Sequence, residues 1–304
     1  MNSEDASKEL EAARQGTLDQ TLSVERNRTY LVDGLDITRS KTNNVEVITA
    51  ESMALLRSVN LKQQIDKESA IVLDSRDVLD TIQLLKRQDM TVTTTMLDPW
   101  YNKGVGGVRN DYESWLSAVV KEASEISQHV FVWGFPEIVH KMLDHIPENY
   151  ELVAWLTWYY KNVPSVIRGW RSAQLACLHL GRKSARLYPE HFLNEKQKAK
   201  QKEGKLRYMP GPPSVIESAV LIGWAGKKEQ IGRPAETAQK PMKVIEPLIM
   251  MTTKEKDVVL DPMCGTGTTG AVCMKLGRRV ILCDKDQVKV GMVERRLAIK
   301  RLTV

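Results

Sequence analysis

Asp261-Pro262-Met263-Cys264-Gly265-Thr266-Gly267-Thr268-Thr269-Gly270 joins two stretches of different periodicity. Before it stands Val258-Val259-Leu260, a short β-branched run that reads as a buried strand. After it, Thr268 to Leu276 has helical spacing and stops at Gly277, a helix-ending residue. The glycines at 265, 267 and 270 form a G-x-G-x-x-G turn, which lets backbone N–H groups and the helix N-terminus approach a ligand closely. The next strand, Arg279 to Asp284, ends on an acid nineteen residues after Gly265, where a carboxylate can accept hydrogen bonds from ribose hydroxyls. Strand, turn, helix and strand in this order imply parallel strands with right-handed crossovers. The expected fold is therefore α/β and Rossmann-like, a mostly parallel sheet with helices on both faces.

Working outward, Pro241 to Met251 and Asp286 to Arg301 read as helices. Ala70 to Asp74 reads as a strand ending in an acid, and Asp80 to Leu85 as an amphipathic helix. Thr91 to Leu97 is a β-branched strand running straight into Asp98-Pro99-Trp100-Tyr101-Asn102, followed by a loop marked by Gly104, Gly106 and Gly107. Tyr112 to Ile126 is helical, and Val130 to Trp133, Leu152 to Tyr160 and Ser218 to Trp224 are strand-like. Glu9 to Arg14 and Ala50 to Val59 have helical character but carry no recognisable chemistry. No internal repeat is present.

The 304 residues, 42% of them hydrophobic, suit one large domain with a modest insertion. No apolar run reaches membrane-spanning length, and the polar, acidic stretch Met1 to Ala13 is no secretory signal. Cys177, Cys264, Cys273 and Cys283 show neither a C-x-x-C pair nor zinc-ligand spacing, so they read as free buried thiols and no metal is expected. The net charge is +6, yet Lys161 to Pro210 holds twelve Lys or Arg against three Glu, +9 by itself, leaving −3 for the rest. Such a block is either a nucleic-acid footprint or a solvated loop. The chain divides into a polar, helical arm at 1–60, a first half at 61–163, a basic insertion at 164–213 and a second half at 214–304.

The glycine turn alone fits a nicotinamide dinucleotide as well as S-adenosylmethionine. Asp261 at its opening favours a ligand bearing a cation, as a sulfonium does, over a pyrophosphate. The resemblance becomes specific at Asp98-Pro99-Trp100-Tyr101, which resembles the D-P-P-Y motif of the amino-group DNA methyltransferases. Asp261 to Thr269 is similar to their D-P-F-x-G-S-G-T-T cofactor motif. Ala238-Gln239-Lys240-Pro241 with Leu248-Ile249 resembles the Q-K-P helix that precedes it, and Val280 to Asp284 the strand that follows. Catalytic motif first and cofactor motif last is the order of the family's beta class. The resemblance spans roughly Ile71 to Leu302.

That resemblance implies S-adenosylmethionine as cofactor, held by Asp261, Pro262, Gly265, Thr266, Gly267, Thr268, Thr269 and Asp284 together with Lys240 and Pro241. It implies a catalytic group of Asp98, Pro99, Trp100 and Tyr101. The chemistry agrees. An exocyclic amine is a weak nucleophile because its lone pair is delocalised into the ring. If the Asp98 carboxylate and Pro99 carbonyl accept its two N–H bonds, the lone pair is freed, and the carboxylate stabilises the positive charge growing on nitrogen. The base has to leave the helical stack to get there, and Tyr101 offers a face to stack on, a role phenylalanine would fill equally. Trp100 departs from the family's usual Pro and is expected to line or narrow the base pocket.

The basic insertion is then expected to recognise DNA, with Arg168, Arg171, Arg182, Lys183 and Arg186 on phosphates or bases. Trp170, Tyr188 and Phe192 are either stacking residues or local core. In the family that the motifs resemble, Asp at the first motif position goes more often with adenine, so the resemblance implies adenine N6 in preference. The alternatives are N4-cytosine methylation, RNA adenine methylation, a catalytically inactive DNA-binding subunit and a nucleotide-dependent oxidoreductase. The resemblance further implies a bacterial or phage origin, a cytoplasmic, nucleoid-associated location, a role in restriction–modification or epigenetic marking, and compatibility with a homodimer.

Overall fold

The computed structural model describes residues 31–32, 35–36, 59–102, 107–163, 166–167, 169–222, 229 and 239–304, with backbone only at 31–32, 35–36 and 166–167. The chain forms two compact units, 1–57 and 58–304. In the first, β1 (Leu31–Val32) pairs antiparallel with β2 (Leu35–Asp36). The helical readings of Glu9 to Arg14 and Ala50 to Val59 lie outside the described residues, except for Val59, which is not helical.

The second unit begins with α1 (Leu61–Glu68), β3 (Ala70–Leu73), α2 (Val78–Arg87) and β4 (Val92–Leu97). Then follow α3 (Tyr112–Ile126), β5 (Ser127–Gly134), a short α4 (Pro136–Val139) and β6 (Tyr150–Tyr159). A small hairpin, β7 (Val166–Ile167) with β8 (Trp170–Arg171), leads to β9 (Gln174–Arg182), α5 (Glu195–Lys202) and β10 (Val215–Glu217). The chain closes with α6 (Met242–Thr252), β11 (Val258–Asp261), α7 (Thr268–Lys275), β12 (Arg279–Leu282), α8 (Gln287–Leu297) and β13 (Arg301–Leu302).

Nine of these strands form one sheet in the order β10-β6-β9-β5-β4-β11-β12-β3-β13. Every neighbour pair is parallel except the two made by β9. Alternation along the strands sends successive side chains to opposite faces. Ile71, Leu73, Val130, Val132 and Ile281 join α1, α2 and α3 on one face, while Ala70, Val72, Phe131, Trp133, Val280 and Leu282 join α6, α7 and α8 on the other. The expected α/β sheet covered on both faces is therefore what the chain builds. α3 shows why: Leu116, Val119, Val120 and Ala123, three or four residues apart, are all buried, and burying a Leu or Val side chain is worth about 1.5–3 kcal/mol.

Two local readings are corrected. The basic segment 164–213 contains β9, a buried strand between β5 and β6, so it is in part the middle of the sheet. The charge count over the segment hid the apolar run Leu175 to Leu180. Ser218 to Ile222 is not a strand; the strand is β10 just before it, and residues 223–224 lie outside the described residues. The Asn162 side chain accepts from Val220 N–H and donates to its carbonyl, both at 2.8 Å, so buried Val220 and Leu221 belong to a pinned loop.

At the centre of the sheet the chain leaves in two directions. From β4 it proceeds to β5, and from β11 it proceeds to β12 on the opposite side. In open parallel sheets the crevice outside the carboxyl ends of two such strands is where ligands bind.

Candidate active site and cofactor cradle

Asp98 follows β4 and the glycine turn follows β11, and the two strands are in register at Thr94 with Val259 and Thr95 with Leu260. The two motifs, more than 160 residues apart in sequence, thus emerge side by side at the switch point.

The turn has the geometry its composition predicts. Gly265 and Gly267 have φ of +52° and +81°, which disfavours any residue with a Cβ. A Cβ on Gly270 would lie 2.6 Å from methyls of both Leu282 and Leu297, so this glycine lets α7 close on β12 and α8. A Cβ on Gly265 would meet nothing within 4 Å: the backbone here faces open space, a cradle that a side chain would fill. Asp284 is buried at the end of β12, its two oxygens accepting from Gly265 N–H and Asp286 N–H at 2.9 Å each. A carboxylate has about four acceptor positions, so capacity for hydroxyl donors is left. Asp261 is also buried; its carboxylate accepts from Met263 N–H at 3.2 Å. Burial, with Asp98 and Asp284 nearby, pushes its pKa up to about 7, against the pull of a Thr269 hydrogen bond. Pro262, Thr266, Thr268 and Thr269 are buried around the turn, and Arg296 fixes it by donating to the Thr266 carbonyl and the Thr268 hydroxyl at 3.0 Å. A buried acid waiting for a cation, a second acid with acceptor capacity and an open glycine backbone fit a ribose-bearing cationic cofactor.

Across the crevice, Asp98 is held from two sides. Tyr101 donates its hydroxyl proton to Asp98 Oδ1 at 3.1 Å, and the Lys240 ammonium lies 2.5 Å from Asp98 Oδ2 and 2.9 Å from the Tyr101 oxygen. Lys240 is almost completely buried and sits over the Trp133 and Tyr101 rings at 4.8 and 5.6 Å from their centroids. Burial first, then the Asp98 charge, raises the Tyr101 pKa well above the ordinary phenol value, so it stays a protonated donor. Phe135, after β5, meets the Tyr101 ring edge-on at 5.0 Å. Tyr112 holds the motif backbone by donating to the Trp100 carbonyl at 2.6 Å. Asn102 takes φ +53° and ties the loop shut: its side chain bonds both the N–H and the carbonyl of Arg109.

Two of the expected site residues have neighbours that the motifs did not indicate. Lys240, placed with the cofactor on motif resemblance, has its ammonium on the Asp98 carboxylate. Pro241 stands beside it as the N-cap of α6. Trp100, expected to line or narrow the base pocket, turns to the opposite sheet face from Tyr101. Its ring packs on Tyr112 and Trp115 at 5.2 and 4.9 Å, under the Lys285 ammonium at 4.8 Å. Consecutive extended residues point to opposite faces, which is the reason. The sequence reading did not single out Lys240's position, Trp133, Phe135 or Asn102; only the strand-like run Val130 to Trp133 gave any sign of an aromatic wall.

The basic candidates separate. Arg171 is exposed on β8, at the carboxyl edge of the sheet that carries Asp98. Arg182 ends the antiparallel strand β9 and so lies at the opposite edge. Its guanidinium is spent on the carbonyls of Ser127, Ser124 and Glu125 at 2.8, 2.7 and 3.1 Å, closing the end of α3. Lys183 and Arg186 follow it there; Arg186 pairs with Glu190 and lies over Tyr188. Tyr188 stacks on His191 and, like Phe192, is half-buried. The structure does not bring these three cations to the crevice beside Asp98. Arg168, Gly104, Gly106 and Ala238 lie outside the described residues. All four cysteines are free and buried, which raises the pKa of each. Among the described residues no helix is long and apolar enough to cross a membrane, and no group of three or more His, Cys, Asp or Glu could hold a metal.

Fold and site together define an α/β protein with a glycine-turn cofactor cradle beside a strand-end carboxylate. The model of the N6/N4 methyltransferase family, described as DNA methylase, matches residues 92–295, and the chain belongs to that family. It is 43% identical over 84 residues to the type II methyltransferase M.HinfI of Haemophilus influenzae, a stretch covering 28% of this chain and 23% of that protein. It is 39% identical over 80 residues to the type II methyltransferase M2.DpnII of Streptococcus pneumoniae, covering 26% and 27%. The matched stretches thus span about a quarter of these relatives. The fold is also that of the M1.HpyAVI–SAM complex, with TM-score 0.58, 16% identity and 76% and 100% of the two chains covered. The PvuII cytosine-N4-specific DNA methyltransferase gives TM-score 0.51 at 14% identity, covering 75% and 88%.

Proposed function

We propose that this protein transfers a methyl group from S-adenosylmethionine to the exocyclic amine of a DNA base, adenine N6 in preference. The observation that carries the reading is the adjacency of Asp98 and the glycine turn at the ends of parallel neighbours β4 and β11. Gly265, Thr266 and Gly267 would line the cofactor, Asp284 would accept from its ribose hydroxyls, and Asp261 would balance its positive charge. The cofactor supplies an activated methyl on a sulfonium, which leaves as a neutral thioether.

The chain supplies position and charge. A flipped base resting on Tyr101 would present its amine to Asp98, and accepting an N–H bond makes the nitrogen lone pair more available. As the N–C bond forms, positive charge appears on nitrogen beside the carboxylate, and the now acidic N–H proton passes to that carboxylate and on to solvent water. Because the carboxylate oxygens are already engaged by Tyr101 and Lys240, the amine has to share or replace one of these partners. Asp as the first motif residue supports adenine, and Trp100, turned to the other face, does not crowd a purine. Arg171 at the carboxyl edge supports a DNA backbone contact; the comparison with type II methyltransferases supports a role beside a restriction enzyme.

The test is transfer of tritiated methyl from labelled cofactor to unmethylated DNA and to RNA, with a thermal-shift comparison of S-adenosylmethionine and NAD. The reading expects label in DNA and stabilisation by S-adenosylmethionine alone. Label confined to RNA, or stabilisation by NAD alone, would overturn it.

A further inference from the structure

Residues 160–173 leave the sheet between β6 and β9 at the carboxyl edge. Their root is fixed. Tyr160 N–H donates to the Ala173 carbonyl at 2.9 Å, and Asn162 is pinned to Val220. The Tyr160 ring is buried in the cluster that also holds Tyr101 and Phe135, so the hairpin rises from the wall of the catalytic crevice. The chain turns back through Gly169 at φ +85° and places Trp170 and Arg171 on the returning strand.

Trp170 is 83% exposed, the most exposed large hydrophobic side chain among the described residues, and Arg171 beside it is exposed too. That excludes the local-core alternative for Trp170. An indole on a rigid-rooted arm gains nothing in the free protein from standing in water. It would gain from a stack of bases, which has flat apolar faces between charged backbones.

We propose that Trp170 is a wedge: as the target base leaves the helix for the Asp98 crevice, the indole enters the duplex there and stacks on the bases left behind, with Arg171 on the adjoining phosphate. This rests on the reading of the protein as a DNA base methyltransferase. Flipping forfeits stacking and pairing, and an inserted apolar side chain offsets part of that loss.

The experiment uses the full chain and a duplex carrying the site found methylated in cells, either fully paired or with an abasic position opposite the target. Single-turnover methylation is measured for wild type, Trp170→Ala, Trp170→Phe and Arg171→Ala. Trp170→Ala is expected to slow the paired duplex by about tenfold to a hundredfold, the range for losing one aromatic–base stack. It should come within about twofold of wild type on the abasic-partner duplex, where the target is already unpaired. Trp170→Phe should keep most of the rate, and Arg171→Ala should weaken binding to both duplexes alike with a shallower salt dependence. Wild-type rates for Trp170→Ala on the paired duplex, or equal losses on both duplexes, would overturn the wedge alone. So would a change in sedimentation of free Trp170→Ala without loss of rate, which would make the tip a contact between copies. Wild type methylating neither duplex would overturn the function reading, and the wedge with it.

Discussion

The buried ammonium of Lys240 lies 2.5 Å from Asp98 Oδ2, and both groups touch the Tyr101 hydroxyl. A cation therefore caps the carboxylate proposed to hold the target amine, and removing either partner leaves a charge stranded. Asp98→Ala should lose at least about a hundredfold in rate, the order for a transition-state electrostatic contact. It should also lose about 1–3 kcal/mol of stability, because Lys240 is left unpaired. The double variant Asp98→Ala, Lys240→Met should regain most of that stability and none of the rate. Urea unfolding beside single-turnover kinetics measures both; a double variant no more stable than Asp98→Ala would show that the pair is not what couples them.

The hydroxyl of Tyr101 gives the aromatic position a second task. A pure stacking role would make Tyr101→Phe silent, as the sequence suggested. In the structure the hydroxyl donates to Asp98 and accepts from Lys240, each a hydrogen bond to a charged group. Loss of about tenfold in kcat is expected for Tyr101→Phe, with the cofactor dissociation constant unchanged. Wild-type kcat would return Tyr101 to stacking alone.

Asp261 is expected to make cofactor binding depend on pH. Its folded-state pKa is raised by burial to about 7, so the free protein holds the proton through the range in which an exposed Asp is ionised. The stability that protonated Asp261 contributes is full below about pH 3.8 and is lost as pH rises to about 7. A cationic cofactor favours the carboxylate, so binding should release a proton near pH 7 and tighten between pH 6 and pH 8. Calorimetry in buffers of different ionisation enthalpy reads the released proton directly. Asp261→Asn should abolish both effects, and a pH-independent wild-type affinity would remove Asp261 from the cofactor's charge balance.

The first and third glycines of the turn should fail differently. Gly265→Ala meets no atom and bears only the strain of a left-handed backbone, about 1–2 kcal/mol. Its methyl enters the cradle, so the cofactor should weaken by more than the fold does. Gly270→Ala pushes a methyl into Leu282 and Leu297 and should destabilise by about 1–3 kcal/mol with little direct effect on affinity. Thermal unfolding and cofactor titration of the two variants would show the reverse order if the cradle lay elsewhere.

The α/β fold, the strand–turn–helix at Gly265 and the strand end at Asp98 were legible because periodicity and turn chemistry are local signals. Strand β9 was not, since an apolar run inside a basic segment reads as an interruption of the charge pattern. The side-chain direction of Trp100 depends on which face of β4 meets α3, a tertiary fact. Lys240 was placed with the cofactor from its motif; its contact with Asp98 was not legible, because that distance is set by sheet order. Arg182 looked like its neighbours in charge; only the antiparallel course of β9 carries it to the far edge, where α3 needs a cap.

The central claim is that Asp98 directs a methyl group onto an exocyclic DNA amine. Nucleoside mass spectrometry of DNA from a methylation-deficient bacterial host expressing the protein, or its Asp98→Ala variant, tests it most directly. The expected result is N6-methyladenine with wild type and none with the variant; N4-methylcytosine alone would overturn the adenine preference and leave the mechanism intact. Absence of both modified bases with wild type, or their persistence in the Asp98→Ala strain, would contradict the account.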